Sequence, residues 1–165
     1  MRIFLVGYMG CGKSLWGKQL ACKLNIPFVD LDALIERQQN LSVADIFRTQ
    51  GEEAFRKMEQ SALVSLIRHK SVVVATGGGV PCYEDNMDWM NINGITVFMD
   101  TTPEVLADRI MGSDQERPLV RGMDKQQLLD HISGHLKSRL PFYERAHHIV
   151  PASDIKISDL VDLFQ

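Results

Sequence analysis

A glycine-rich segment near the start of the chain has the residue types and spacing of a phosphate-binding loop. Gly7 to Ser14 reads G-Y-M-G-C-G-K-S, which matches the pattern G-x-x-x-x-G-K-[ST] in full. Glycines let successive backbone N–H groups turn toward a phosphate, and the N-terminus of a following helix adds partial positive charge. Lys13 can then reach the β- and γ-phosphates, and the Ser14 hydroxyl can coordinate Mg²⁺. The segment therefore predicts a site for a nucleoside triphosphate.

An acidic pair follows the second short apolar run of the chain. Asp30 and Asp32 stand in the order Asp-Leu-Asp, at a strand end where carboxylates would come close to bound phosphates. A carboxylate in this position is commonly a helix cap. Beside a phosphate loop, a role in holding a metal or in orienting a hydroxyl is the better prediction. The D-x-x-G and [NT]-K-x-D patterns of GTPases are missing from the sequence, which argues against a GTP-dependent switch.

Two arginines and a run of glycines are further candidates for ligand binding. Arg56 precedes Glu59 by one helical turn, a spacing that can hold a guanidinium in one orientation, although such pairs are most often solvated surface pairs. Arg139 lies two residues before Pro141, where a bend in the helix could aim the arginine inward. Gly77–Gly79 follow a β-branched run, and three glycines in sequence are costly in chain entropy. Close approach of this backbone to a ligand explains them better than a simple turn.

The hydrophobic pattern alternates between short apolar runs and helical spacing. Strands are predicted at 2–6, 27–30, 72–75, 95–99 and 148–150. Helical spacing occurs at 13–24, 33–35, 42–47, 52–69, from 102 onward, at 125–146 and at 155–164, with Gly51 between the third and fourth segments. Pro141 should bend or end the helix that contains it. Five strands alternating with helices predict an α/β domain with a mainly parallel sheet.

Length, charge and cysteine usage limit the classes of function. The 165 residues fit one domain, 1–165, and a net charge of −3 without long runs of one sign argues against nucleic-acid binding. No apolar stretch is long enough to span a bilayer, so we expect no membrane association. Three cysteines without a C-x-x-C pair indicate a reducing environment rather than a disulfide framework. We therefore expect a cytoplasmic protein that acts on small molecules, and we expect it to be a monomer.

A polar segment between two glycines has the composition of a mobile loop. Residues 112–122 carry charged side chains, including Arg117, and show no hydrophobic periodicity. Such a segment can close over a bound ligand as a lid.

Taken together in order, these motifs resemble the shikimate kinase family. They are the phosphate loop, D-x-D at 30–32, F-R-x-x-E at 55–59, G-G-G at 77–79, R-P-L at 117–119 and R-x-P-x-Y at 139–143. The resemblance implies the nucleoside-monophosphate-kinase-like P-loop fold, a three-layer α/β/α arrangement with a five-stranded parallel sheet flanked by helices and a mobile lid. It also implies transfer of the γ-phosphoryl group of ATP to the 3-hydroxyl of shikimate, giving shikimate 3-phosphate for aromatic amino-acid (chorismate) biosynthesis.

The same resemblance implies a role for each motif residue. The nucleotide site would contain Gly10, Cys11, Gly12, Lys13, Ser14, Leu15, Arg109 and Arg117, with Arg109 over adenine and Arg117 on the phosphates. Mg²⁺ would be held by Ser14 and, through water, by Asp30. The shikimate site, in a region of about 32–60 and beyond, would contain Asp32, Phe55, Arg56, Gly77, Gly78, Gly79 and Arg139, with Glu59 orienting Arg56. The catalytic residues would be Lys13, Asp32 and Arg117.

Some features leave alternatives open. Residues 151–154 lack the arginine that many relatives carry in an adenine loop, and the lid is short. Asp32 could remove the proton of the acceptor hydroxyl or only align that hydroxyl, since a loose transition state demands little of a base. The alternative functions are a kinase of another small hydroxy acid such as gluconate, and a nucleotide-binding regulatory module. Finally, Cys11 lies inside the phosphate loop, where nearby N–H groups and Lys13 could make its thiol reactive.

Overall fold

The computed structural model describes residues 1–114, 117 and 120–165 and contains one parallel sheet. The order of its five strands is β2-β3-β1-β4-β5. The strands are β1 (Arg2–Val6), β2 (Phe28–Asp30), β3 (Val72–Ala75), β4 (Ile95–Asp100) and β5 (His148–Pro151). The predicted strands are thus confirmed to within one residue at each end.

The strand register brings three functional segments to one edge of the sheet. Ala75, the last residue of β3, pairs with Leu5 of β1 and with Asp30 of β2. All three strands run parallel, so the loops that leave their carboxyl ends lie side by side. The phosphate loop follows β1, the acidic pair follows β2, and the three glycines follow β3.

Helices flank the sheet, as the resemblance implies. They are α1 (Lys13–Leu24), α2 (Leu31–Gln39), α3 (Val43–Ser65), α4 (Asn86–Asn93), α5 (Pro103–Met111), α6 (Lys125–Tyr143) and α7 (Ile157–Asp162), with short 3₁₀ turns at Leu66–Arg68 and Val80–Cys82. A buried apolar core joins these helices to the strands, and β1 and β3 contribute their side chains to it on both faces of the sheet. No helix in the described part of the chain combines the length and apolarity that a bilayer crossing requires.

Gly51 breaks α3 into two helical segments with a kink between them, as the sequence predicted, because its φ of 85° and ψ of 171° are not helical. The helices differ from the sequence prediction at two places. The helix α6 continues for two residues beyond Pro141, Phe142 and Tyr143, and then ends, so that Pro141 falls in its last turn. The helix α4 was not predicted, because its mixed Met and Asn residues show no clear apolar stripe.

Candidate active site

A cleft of about 690 Å³ opens at the carboxyl ends of the strands. With one exception, the residues predicted for the nucleotide and acceptor sites line it: Gly10, Gly12, Lys13, Ser14, Leu15, Asp30, Asp32, Phe55, Arg56, Gly77, Gly78, Gly79, Arg109, Arg117 and Arg139. The exception is Cys11. The fold therefore collects residues that are more than 120 positions apart in the sequence into one concave site.

The phosphate loop curls around the ammonium group of its own lysine. Gly10 and Gly12 have φ values of 82° and 97°, a backbone region in which glycine avoids strain. Lys13 Nζ donates to the carbonyl of Gly7 at 2.7 Å and to that of Tyr8 at 2.9 Å, and the lysine is 8% exposed. The Lys13 ammonium group is thus bound to carbonyls of its own loop, and it would have to turn outward to contact phosphates.

Ser14 and Asp30 form a hydroxyl–carboxylate pair beside this loop. Ser14 Oγ donates to Asp30 Oδ2 at 2.5 Å, while Asp30 Oδ1 accepts from the backbone N–H of Ala33 at 3.2 Å. Asp30 is therefore a helix cap for α2 and a partner of the phosphate loop at the same time. Mg²⁺ in kinases is usually held by one or two protein oxygens together with substrate phosphates. This pair of hard oxygen donors fits that requirement.

Asp32, the second residue of α2, lies in a less favourable environment. Its Oδ1 atom is buried and has no hydrogen-bond partner among the described residues. Burial and the nearby charge of Asp30 raise the pKa of the Asp32 carboxyl to about 6, although the Lys13 ammonium opposes this shift. An unpartnered carboxylate of this kind is ready to accept a hydrogen bond from a ligand hydroxyl.

Arg56 and Glu59 form a buried ion pair rather than a solvated surface pair. Arg56 Nη1 donates to Glu59 Oε2 at 2.6 Å, and the two side chains are 12% and 1% exposed. A second carboxylate, that of Glu52, accepts from Arg56 Nη2 at 3.2 Å. Burial raises the pKa of Glu59 to about 7, with the Arg56 guanidinium acting in the opposite direction. Two carboxylates therefore fix the guanidinium plane of Arg56.

The three glycines lie so close to the acceptor-site side chains that any side chain added there would displace the guanidinium and carboxylate groups. A Cβ atom added at Gly77 would lie 2.6 Å from Glu59 Oε1, and one added at Gly78 would lie 2.9 Å from Arg139 Nη1. At Gly79 it would lie 2.5 Å from Cζ of Arg56. The backbone of this segment thus forms a floor between the two arginines. Arg139 is only 7% exposed, so the inward orientation predicted for it is confirmed.

Arg109 and Arg117 lie on the nucleotide side of the cleft. Arg109 Nη1 donates to the carbonyl of Gly10 at 3.3 Å. Arg117 lines the same cleft, and burial lowers the pKa of its guanidinium while the charge of Asp32 opposes this shift. The remainder of the predicted R-P-L motif, 118–119, and residues 115–116 of the predicted lid lie outside the described residues.

The thiol of Cys11 is buried inside the phosphate loop and does not line the cleft. Cys11 is fully buried, and its Sγ atom lies 3.5 Å from Lys13 Nζ. Its backbone N–H donates to the carbonyl of Tyr8 at 3.2 Å within the loop. Complete burial disfavours the reactive thiol that the sequence suggested, because the reagent has no access to it.

One wall of the cleft was missed by the sequence reasoning. Val43 and Phe47 at the start of α3 line it, and the Phe47 ring packs on that of Phe55 with 4.9 Å between centroids. Glu36 fixes this wall by accepting from the backbone N–H of Val43 at 2.9 Å. The available signal was the four-residue spacing of Val43 and Phe47 directly after the capping residue Ser42, which marks one face of a helix.

Comparison with known proteins identifies the family. The family model described as shikimate kinase matches residues 9–164, which is nearly the whole chain. The chain belongs to the shikimate kinase family. A shikimate kinase from Bacteroides fragilis is 44% identical to it over 156 residues, covering 94% of this chain and 87% of the relative.

Solved shikimate kinases share the fold as well as the sequence. The crystal structure of shikimate kinase from Bacteroides thetaiotaomicron aligns with a TM-score of 0.92 at 41% identity, covering 100% of this chain and 96% of that one. The shikimate kinase from Acinetobacter baumannii in complex with shikimate aligns with a TM-score of 0.86 at 35% identity, covering 98% and 89%. Shikimate kinases phosphorylate shikimate with ATP, so the chain is an enzyme of the kinase class. As ATP-using kinases, they generally need a divalent metal ion.

Proposed function

We propose that this cleft transfers the γ-phosphoryl group of ATP to the 3-hydroxyl of shikimate, giving shikimate 3-phosphate for chorismate biosynthesis. One observation carries the proposal. Two largely buried guanidinium groups, those of Arg56 and Arg139, reach the same glycine segment beside Oδ1 of Asp32, which has no partner among the residues that the structure describes. A cyclic acid with ring hydroxyls fits both features, and the relative from Acinetobacter baumannii was solved with shikimate bound.

The acceptor half would bind shikimate by its carboxylate and its ring. Arg56 and Arg139 would hold the carboxylate, because a planar guanidinium can grip it through two parallel hydrogen bonds. The backbone of Gly77–Gly79 would meet the ring hydroxyls, and Phe55 would pack against the ring. Because Glu59 already fixes Arg56 at 2.6 Å, this clamp needs little reorganisation when the substrate binds.

The donor half would bind ATP through the phosphate loop. Gly10, Cys11 and Gly12 would offer backbone N–H groups, and Lys13 would turn from its carbonyl partners to the β- and γ-phosphates. Leu15, which is 61% exposed, and Arg109 would flank the base. Ser14 directly, and Asp30 through water, would hold Mg²⁺, which when bound supplies charge neutralisation on the phosphates.

Asp32 would position the acceptor oxygen for an in-line displacement. The 3-hydroxyl would donate to the unpartnered Oδ1 of Asp32, and the hydroxyl oxygen would form the new bond to the γ-phosphorus. The bond from that phosphorus to the β,γ-bridging oxygen would break, and ADP would leave with the electron pair. A pKa of about 6 makes Asp32 basic enough to take the hydroxyl proton late in this step. Lys13 and Arg117 would stabilise the charge that develops on the transferred group.

A substrate panel tests this proposal. The enzyme is assayed with ATP and Mg²⁺ against shikimate, gluconate and a nucleoside monophosphate in parallel, by coupling ADP release to a spectroscopic readout. We expect phosphorylation of shikimate alone, with the product identified as the 3-phosphate by NMR. Faster turnover of gluconate would overturn the choice of acceptor, and ADP release without any phosphorylated acceptor would indicate an ATPase.

We further infer that residues 1–165 form a single kinase domain, that 112–122 act as its lid and that about 32–60 carry most of the shikimate-binding region. One continuous sheet and one buried core support the single domain.

We also infer a monomer without nucleic-acid or membrane partners. We infer a cytoplasmic location for it, and the three free cysteines at 11, 22 and 82 agree with a reducing compartment. Analytical ultracentrifugation at assay concentrations tests the monomer.

A further inference from the structure

The two arginines of the acceptor site are oriented by different kinds of neighbour. Arg56 has carboxylate oxygens of Glu59 and Glu52 within 3.2 Å. Arg139 takes part in none of the ion pairs found within residues 1–114, 117 and 120–165, although it is 7% exposed. Its guanidinium lies instead over the ring of Tyr8, with Cζ 5.4 Å from the ring centroid. This distance is within the range of a cation–π contact.

Tyr8 is itself held in place by His135. It is 1% exposed, and its hydroxyl lies 3.1 Å from Nδ1 of His135, with the two rings edge to face at 87°. Burial and the charges of Arg139 and His131 lower the pKa of His135 to about 4, so that this imidazole is neutral near pH 7. Burial raises the pKa of Tyr8, so its hydroxyl keeps its proton and can donate to Nδ1.

An aromatic support has a specific advantage for an arginine that must bind an anion. A carboxylate partner fixes a guanidinium but competes with the carboxylate of the substrate. The face of a ring fixes the plane of the guanidinium and leaves its N–H groups and its charge for the ligand. In addition, Tyr8 belongs to the phosphate loop, and its carbonyl accepts from Lys13 Nζ at 2.9 Å. A side chain of the phosphate loop, that of Tyr8, therefore orients Arg139, the arginine that would bind the acceptor.

We propose that Tyr8, held by His135, is a positioning residue that presents the Arg139 guanidinium to the carboxylate of the acceptor. The inference rests on the proposed function, since it requires Arg139 to bind that carboxylate. It assigns shikimate affinity, rather than the transfer step or ATP binding, to a side chain of the phosphate loop.

The test compares Tyr8→Leu, Tyr8→Phe and a matched control, Phe4→Leu. Phe4 is a fully buried aromatic residue of β1 that packs on Trp89 and not on a cation. Shikimate affinity is measured by titration calorimetry without nucleotide, and steady-state kinetics give kcat and both KM values. We expect Tyr8→Leu to weaken shikimate binding about fivefold to thirtyfold, the range of one cation–π contact between an exposed and a desolvated site, and to change the KM for shikimate more than kcat or the KM for ATP. Tyr8→Phe keeps the ring and should retain most of the shikimate affinity. Phe4→Leu should lower Tm but leave the shikimate affinity unchanged.

A double-mutant cycle with Arg139→Gln separates failure of this inference from failure of the proposed function. If Tyr8 acts through Arg139, Tyr8→Leu has no further effect on shikimate affinity once Arg139 is replaced. An equal loss in both backgrounds, or no loss in either, would overturn the role of Tyr8. Unchanged shikimate affinity in Arg139→Gln alone would overturn the proposed carboxylate clamp instead. Should Tyr8→Leu fail to fold, Tyr8→Met, whose longer and more flexible side chain adapts better to the same space, takes its place in the cycle.

Discussion

The donor half and the acceptor half of the cleft hold their charged groups in opposite ways. In the donor half, Lys13 is satisfied by two carbonyls of its own loop, and Ser14 is paired with Asp30. In the acceptor half, Asp32 has a buried oxygen without a partner in the described part of the chain, and Glu59 is an almost fully buried carboxylate whose pKa is raised to about 7. The charged and polar groups of the phosphate loop are thus satisfied by contacts within the protein, whereas the acceptor half carries an electrostatic penalty.

This difference indicates where function opposes stability. Groups that must recognise a hydroxyl or a carboxylate have to be desolvated and left incompletely paired, which costs folding free energy until a ligand binds. Groups that bind phosphate can be stored on backbone carbonyls, since a lysine exchanges one set of oxygens for another. Substitutions in the acceptor half should therefore separate activity from stability, and those in the donor half should not.

The largest effect is expected for Asp32→Asn. The amide has nearly the same shape, but it offers a weaker acceptor to the 3-hydroxyl and cannot take its proton. We expect kcat to fall about 10²-fold to 10⁴-fold, the usual contribution of such a group, while ATP affinity stays within error. Coupled kinetics and nucleotide titration measure the two quantities. Turnover near that of the unmodified enzyme would remove Asp32 from its assigned role.

The next effect concerns the arginine clamp, through Arg56→Lys and Arg139→Lys. Lysine keeps the charge but loses the bidentate geometry, so each change should raise the KM for shikimate about tenfold to a hundredfold. The KM for ATP should not change. Arg48→Lys is the matched control, because Arg48 pairs with Asp45 on the same helix but is 72% exposed. An unchanged KM for shikimate in both clamp variants would favour another acceptor, such as gluconate.

The phosphate loop could be predicted almost completely from the sequence, because its contacts are local. Gly7 to Ser14 form one continuous motif, and the loop closes on carbonyls within six residues of Lys13. One of these residues, Ser14, donates to Asp30, whose role as a helix cap was expected from its place at a strand end. The strands were also predicted well, since all of them are short runs of apolar and β-branched residues bounded by turn residues.

The acceptor half could be assigned only through the family resemblance. Taken alone, Arg56 and Glu59 favour a solvated surface pair, and their burial depends on how α3 packs against the glycine segment after β3. Likewise the contact between Tyr8 and His135 joins residues 127 positions apart, and no local pattern marks it. Such convergence is set by strand register and helix packing, which short-range periodicity does not encode.

The penalty in the acceptor half should be measurable as stability. Because the folded-state pKa of Asp32, about 6, exceeds its ordinary value of 3.8, ionisation of this carboxyl destabilises the folded protein. Without ligands, Asp32→Asn should therefore be about 1 to 2 kcal/mol more stable near pH 7. The gain should vanish as the pH falls from 6 to 4, because the original carboxyl then takes up its proton. Urea unfolding at several pH values measures this dependence.

The matched control for that measurement is Asp45→Asn. Asp45 is exposed, and hydrogen bonds from Arg48 and Ser42 lower the pKa of its carboxyl. Ionisation of Asp45 therefore stabilises the folded protein, whereas ionisation of Asp32 destabilises it. Asp45→Asn should reduce the free energy of unfolding at neutral pH, and this loss should disappear in acid. Equal behaviour of the two variants would contradict the contrast between strained and satisfied carboxylates.

The smallest effect is expected inside the donor half, at its cysteine. The Cys11 thiol is fully buried behind the phosphate loop, whereas Cys22 on α1 is exposed. Brief treatment of the native enzyme with a thiol-alkylating reagent should therefore modify Cys22 first and leave Cys11 intact, with kcat and both KM values unchanged. Peptide mass spectrometry locates the label, and labelling in urea, where all three thiols including that of half-buried Cys82 are accessible, is the control. Rapid labelling of Cys11 that ATP suppresses would mean that the ligand-free phosphate loop opens readily. The hydrogen bonds of Lys13 to its own loop would then not hold that loop closed.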